Sequence, residues 1–111
     1  MKVNQRDIVE VNFQLPGGVF KPHPVLVVSN ENVYEQEEIF YALLISSKQF
    51  NSDFEIEVTG DMLLSPLPKT SFVKCQLLQA YTTSEILNRI SSMKKEPFDH
   101  ILNKFFDSVF K

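Results

Sequence analysis

Five short strand-like segments follow one another in the first two thirds of the chain, and their close succession constrains the fold more than any other feature. The first and fourth segments alternate apolar and polar residues with the period of two that a half-buried strand shows. The second and third are continuous runs of apolar, often β-branched residues, which is typical of strands buried on both faces. The five segments are residues 7–13, 24–29, 39–47, 54–59 and 71–81. Short strands separated by turn residues predict a strongly curved antiparallel sheet or a small barrel.

The last third of the chain has helical patterns. Thr82 and Glu85 form a T-x-x-E capping box, which predicts a helix over residues 84–93. Pro97 suits the first position of a second helix. After it, apolar residues recur at helical spacing in one wide stripe that we expect to pack on the sheet. The stripe comprises Phe98, Ile101, Leu102, Phe105, Phe106, Val109 and Phe110. The predicted fold class is therefore mainly β with C-terminal helices.

Size and charge narrow the class of protein. With 111 residues, the chain is expected to form a single domain over residues 1–111. Its formal net charge of −3 argues against a broad basic surface that grips nucleic acid through the phosphates. The sequence lacks the apolar stretch of a signal peptide or a membrane span, and its single cysteine suits a reducing compartment. We expect a cytoplasmic protein that does not associate with a membrane.

Few side chains suit metal or thiol chemistry. His23 and His100 are the only histidines, and together with Cys75 they show no metal-ligand spacing. We therefore expect no metal site and no cofactor. The strand pattern places Cys75 in the core, where a thiol is inert.

Three places along the chain carry candidate site residues. The first follows a turn predicted at Pro16, Gly17 and Gly18, at the entrance to the second strand. The second is the end of the third strand, and the third is one face of the fifth strand. Each has an ordinary interpretation as well: a turn histidine, a polar strand end and a solvated strand face. The three groups are His23; Ser46, Ser47 and Lys48; and Lys74 with Gln76.

In order and spacing, these segments resemble the MazF/PemK-like toxins of prokaryotic toxin–antitoxin systems. The resemblance rests on "RDIVEVNF", on "PVLVVSN" after a glycine turn and on "SFVKCQ", and it covers nearly the whole chain from Asp7 onward. It implies a small SH3-like antiparallel β-barrel with C-terminal helices, of the CcdB/Kid/MazF-like kind. It also implies a growth-inhibiting homodimer that cuts single-stranded RNA without metal, and a cognate antitoxin protein that lies across the RNA groove.

The site positions of the family fall on particular residues of this chain. The arginine that precedes the apolar strand falls on His23, and the strand-end threonine falls on Ser46. The basic position of the "SFVKCQ" segment is Lys74, and the acidic position is an amide, Gln76. The resemblance thus implies His23, Ser46 and Lys74 as catalytic residues. The RNA-binding residues that it implies are Lys21, Ser47, Lys48 and Gln76.

The implied catalytic residues suit RNA cleavage by the 2′-hydroxyl of the substrate. The protein must accept the proton of that hydroxyl, stabilise the charged phosphorane and protonate the leaving 5′-oxygen. Histidine titrates near neutral pH, so His23 suits proton transfer. Ser46 and Lys74 suit hydrogen bonding and charge stabilisation at the phosphate. We expect these three side chains to share one hollow.

Two other functions stay open from the sequence. A catalytically degraded or non-enzymatic toxin-like module that binds a protein or a nucleic acid is favoured by the changed site positions and the negative net charge. A general nucleic-acid-binding barrel would need an exposed sheet face with interleaved aromatic and basic residues. The segment 54–59 instead places Glu55 and Glu57 together on its polar face.

Overall fold

The computed structural model describes residues 2–14 and 17–111. Within them the chain forms six β-strands, two α-helices and two short 3₁₀ turns. The predicted turn residue Pro16 lies outside the described residues, whereas Gly17 and Gly18 have positive φ angles of 96° and 88°. The strands are β1 (Asp7–Gln14), β2 (Phe20–Val27), β3 (Ile39–Ser46), β4 (Glu55–Val58), β5 (Ser71–Thr82) and β6 (Ile86–Ser92); the helices are α1 (Glu31–Glu37) and α2 (Lys95–Val109), and the 3₁₀ turns are Gly60–Met62 and Thr83–Glu85.

All six strands belong to one antiparallel sheet in the order β4-β5-β3-β2-β1-β6. β1 and β2 pair along Ile8–Gln14, but β2 and β3 pair only along Val25–Val27. β4 and β6 form the two edges. This antiparallel, mainly β architecture with a C-terminal helix confirms the predicted fold class.

Apolar side chains pack on both faces of the sheet. One cluster includes Ile8 and Leu43 together with Ile101 of α2, and the other includes Val9 and Phe40. β1 therefore buries consecutive residues, Ile8 and Val9, in two different clusters instead of a single apolar face. This part of β1 is therefore covered by apolar side chains on both sides.

The helix predicted over residues 84–93 is wrong. The capping box of Thr82 and Glu85 is present, but it closes only the 3₁₀ turn Thr83–Glu85. The chain then continues as β6, which pairs with β1. Without β6, the edge of β1 would expose unpaired backbone N–H and C=O groups, and the pairing satisfies them. The sheet consequently has six strands where five were predicted, and the described chain ends in one helix.

α2 occupies the predicted region with two differences. It begins at Lys95, so Pro97 is its third residue and still lies in the first turn, where proline is tolerated. Only the first part of the predicted apolar stripe packs on the sheet, and the last part is exposed. The buried members are Phe98, Ile101 and Phe105, and the exposed ones are Phe106, Val109 and Phe110. Of the described helices, neither is long and apolar enough to cross a membrane.

Candidate functional site

A cleft opens where β2 and β3 separate. Their ladder ends at the pair Val25–Leu44, and Pro22 and Pro24 precede that point in β2. Proline has no N–H to donate, so this part of β2 is suited to a place where the ladder has ended. The cleft has a volume of about 280 Å³, and its polar lining consists of Glu10, His23, Ser46, Ser47, Lys69 and Ser71.

His23 lies between the two prolines and is half-buried. Its ring meets the ring of Phe13 edge to face, with centroids 5.9 Å apart. Burial and the positive charge of Lys21 lower the pKa of His23, and a hydrogen bond to the backbone carbonyl of Ile45 opposes them only in part. The imidazole is therefore mainly neutral at neutral pH. A neutral imidazole has one ring nitrogen with a lone pair that can accept a proton.

Ser46 and Ser47 bring hydroxyl groups to the cleft from the end of β3. The backbone N–H of Lys48 donates to Oγ of Ser46 at 3.3 Å. Because this bond uses a lone pair of the oxygen, the hydroxyl hydrogen of Ser46 can be donated to a ligand. The predicted proximity of His23 and Ser46 is thus found in the structure.

Two charged residues of the cleft were missed by the sequence analysis. Lys69 reaches it from the proline-containing segment before β5, and Glu10 reaches it from β1, where it lies opposite Pro24. Lys69 is exposed and Glu10 is half-buried. A carboxylate between the two valines Val9 and Val11 was the available signal for Glu10. The sequence holds no comparable signal for Lys69, because only the folded segment brings it to the cleft.

Lys74 does not join His23 and Ser46 in the cleft, so the expectation of one shared hollow is wrong for this residue. Its side chain is fully buried, and its Nζ lies 3.0 Å from Oε2 of Glu55. Nζ also donates to the backbone carbonyl of Lys48 at 2.7 Å and lies 4.1 Å from the centroid of the Phe50 ring. An ammonium held in this way cannot reach a phosphate in the cleft.

The strand pattern predicts Glu55 and Glu57 on one exposed face. Glu57 is exposed, but Glu55 is buried beside Lys74. Gln76, which also lies outside the cleft lining, donates from Nε2 to Oε2 of Glu55 at 2.7 Å. Burial favours the neutral form of Glu55, but hydrogen bonds from Gln76, Lys74 and two backbone N–H groups outweigh it and lower the pKa of the carboxyl. Glu55 is therefore ionised, and its charge compensates Lys74.

The remaining candidates lie outside the cleft. Lys21 and Lys48 are exposed; Lys21 precedes His23 by two residues, and Lys48 follows Ser47. Cys75 is buried, as predicted, and burial raises the pKa of its thiol to about 11. Residues 2–14 and 17–111 contain no group of three histidine, cysteine, aspartate or glutamate side chains that could hold a metal ion.

The chain is similar to known toxins in sequence pattern and in structure. It matches the family model described as PemK-like, MazF-like toxin of type II toxin–antitoxin system over residues 4–108. No relative among curated protein sequences matches it.

Solved structures share the fold at low sequence identity. An endoribonuclease from a mycobacterial species has a TM-score of 0.77 at 10% identity, covering 98% of this chain and 92% of its own. An endoribonuclease from a mycobacterial species in complex with its cognate antitoxin also has a TM-score of 0.77 at 10% identity, with coverages of 96% and 94%. A MazE–MazF structure from Deinococcus radiodurans has a TM-score of 0.76 at 14% identity, with coverages of 96% and 95%.

Proposed function

The chain belongs to the PemK-like, MazF-like toxin family of type II toxin–antitoxin systems, and from this premise we propose that it is an endoribonuclease that cuts single-stranded RNA without a metal ion. The observation that carries the proposal is the composition of the cleft between β2 and β3. It gathers an imidazole, three hydroxyls, an ammonium and a carboxylate. These are the groups that cleavage by a substrate 2′-hydroxyl requires.

In the proposed mechanism, His23 is the general base. Its lowered pKa leaves a neutral ring nitrogen that accepts the proton of the 2′-hydroxyl as the oxygen attacks the adjacent phosphorus. The protonated His23 or a solvent water then gives a proton to the leaving 5′-oxygen, and the products are a 2′,3′-cyclic phosphate and a 5′-hydroxyl end. Glu10 is a second group in the cleft that is able to transfer a proton.

The other cleft residues stabilise charge at the phosphate. Ser46 and Ser47 donate hydrogen bonds to its non-bridging oxygens, and Lys69 supplies the positive charge. Lys69 thereby takes the role that the resemblance had assigned to Lys74. Lys21 and Lys48 are exposed, and they lie close in sequence to the cleft residues His23 and Ser47. In the proposed mechanism they extend the positive charge toward neighbouring phosphates.

We also propose the partners and the location that family membership implies. The protein would act in the cytoplasm as a growth-inhibiting homodimer that a cognate antitoxin binds. The solved complex of a structurally similar endoribonuclease with its cognate antitoxin supports the proposal of an antitoxin partner. The exposed apolar end of α2, formed by Phe106, Val109 and Phe110, supports a protein partner.

A second function is favoured by one observation. The basic position of the family motif, Lys74, is buried and paired away from the cleft. A non-catalytic module that binds RNA or a protein would keep the fold without needing that residue at the surface. An RNA-cleavage assay distinguishes the two functions, because a binding module leaves RNA intact.

The purified protein is expected to cut mixed single-stranded RNA in the presence of EDTA and to leave DNA of the same sequence intact, because DNA lacks the 2′-hydroxyl. Lys69→Met is expected to lower kcat/KM by about 10- to 100-fold, the effect of losing one charged hydrogen bond to the phosphate. The matched control, Lys95→Met, removes an exposed charge on α2 and should cut RNA like the wild type. Intact RNA at high protein concentration would contradict the proposed activity.

Lys21→Met is expected to move the acidic limb of the pH–rate profile to higher pH. The positive charge of Lys21 disfavours protonated His23, so its removal raises the pKa of the imidazole. The general base then becomes protonated at a higher pH than in the wild type. Measuring kcat/KM between pH 4.5 and 8 checks this shift; Lys95→Met serves again as the control. An acidic limb that stays in place would mean that His23 does not set it.

A further inference from the structure

The buried ion pair of Lys74 and Glu55 is connected to the cleft by a continuous series of hydrogen bonds. Nζ of Lys74 lies 3.0 Å from Oε2 of Glu55 and donates to the carbonyl of Lys48 at 2.7 Å. The N–H of Lys48 donates in turn to Oγ of Ser46 at 3.3 Å. The peptide groups of Lys48 therefore join a fully buried ammonium to a hydroxyl that lines the cleft.

Glu55 holds the next part of the same loop, which connects β3 to β4. Its Oε1 accepts from the N–H of Phe50 at 3.0 Å, and its Oε2 accepts from the N–H of Asn51 at 3.2 Å. The Phe50 ring covers the ammonium of Lys74. The ion pair thus fixes the loop at three residues: Lys48, Phe50 and Asn51.

We propose that Lys74 and Glu55 are positioning residues that hold the Ser46 hydroxyl in the orientation in which it donates to the phosphate. This inference rests on the proposed RNA cleavage. In place of direct contact with RNA, the buried cation acts through the main chain of Lys48. A displacement of about 1 Å at a reacting group can lower a rate on the order of 100-fold, so a loop fixed at three residues matters for catalysis.

The test combines Lys74→Met with Glu55→Leu. Replacing a buried ion pair by apolar residues of similar size usually keeps a protein folded, so this double variant should melt near the wild-type temperature. Its kcat for RNA cleavage is expected to fall by about 10- to 100-fold with little change in KM, since the substrate still binds but the hydroxyl is misplaced. The matched control, Lys95→Met with Asp99→Leu, removes an exposed ion pair on α2 and should retain the wild-type kcat.

Adding Ser46→Ala separates positioning from a general structural role. If the ion pair acts through Ser46, this change lowers kcat much less in the double variant than in the wild type, because effects that share one group are not additive. The inference is overturned if Ser46→Ala lowers kcat by the same factor in the wild type and in the double variant. It is also overturned if the double variant keeps the wild-type kcat. Either result leaves RNA cleavage by the wild type unaffected.

A second measurement covers the case in which the wild type cuts no RNA and the proposed function fails. Amide hydrogen exchange at Lys48, Phe50 and Asn51 then reports on the loop directly. Faster exchange at these amides in the double variant than in the control supports positioning of the loop by the ion pair. Unchanged exchange overturns it.

Discussion

Replacing Lys74 alone with methionine is expected to lower the free energy of unfolding by about 3–5 kcal/mol, because the change leaves the buried carboxylate of Glu55 without its cation. Gln76 and two backbone N–H groups still donate to Glu55, but they carry no positive charge. Domains of this size have a total stability of about 5–15 kcal/mol, so the loss is large. Urea denaturation followed by circular dichroism measures it.

The stability loss in Lys74→Met should depend on pH, and a second substitution at Glu55 should reverse most of it. In the wild type, the lowered pKa of Glu55 contributes stability above the ordinary carboxyl range, and this contribution is lost as pH falls through the lowered pKa. In Lys74→Met the carboxyl takes up its proton at a higher pH, so the difference between the two proteins shrinks on acidification. Adding Glu55→Leu removes the unpaired charge and should restore most of the stability.

Exposed ion pairs provide the comparison. Lys95→Met breaks the i,i+4 pair with Asp99 on α2 and should cost no more than about 0.5 kcal/mol. If Lys74→Met were as stable as Lys95→Met, the buried pair would contribute nothing. A double variant no more stable than Lys74→Met would trace the loss to packing at position 74 instead of to the unpaired carboxylate.

The fold could be predicted largely because strand patterns are local. Alternation and β-branched runs placed β1 to β5 near their observed positions, and the apolar spacing after Pro97 placed α2. β6 could not be predicted in the same way. Thr82 and Glu85 carry the same local signal whether a helix or a 3₁₀ turn follows, and what decides the outcome is the need of β1 for a partner strand.

The site could be predicted only where its residues lie at strand ends. His23 and Ser46 come from neighbouring strands next to the point where their ladder stops, so proximity followed from the order of strands. The environment of Lys74 depends on its register with Glu55, which lies opposite it on β4. A pattern of alternation cannot distinguish a solvated lysine from one that pairs with a carboxylate of the next strand. Lys69 depends likewise on how its segment folds over the cleft.

His23→Ala has the largest expected effect on activity: kcat/KM for RNA cleavage should fall by about 10²- to 10⁴-fold, the usual contribution of a positioned proton-transfer group. The imidazole faces the cleft beside Ser46, and its lowered pKa keeps it neutral at neutral pH. Wild-type kcat/KM should therefore rise with pH through that lowered pKa and then level off. The variant should lose this acidic limb as well as the rate.

His100→Ala is the matched control, because His100 is the other histidine of the chain and lies exposed on α2. It should retain both the wild-type rate and the acidic limb. The RNA ends give a separate reading: attack by the 2′-hydroxyl leaves a 2′,3′-cyclic phosphate, and replacing that hydroxyl by hydrogen at the cut position should abolish cleavage. If His23→Ala cuts RNA as fast as His100→Ala, the base is another group of the cleft, and Glu10 becomes the residue to replace next.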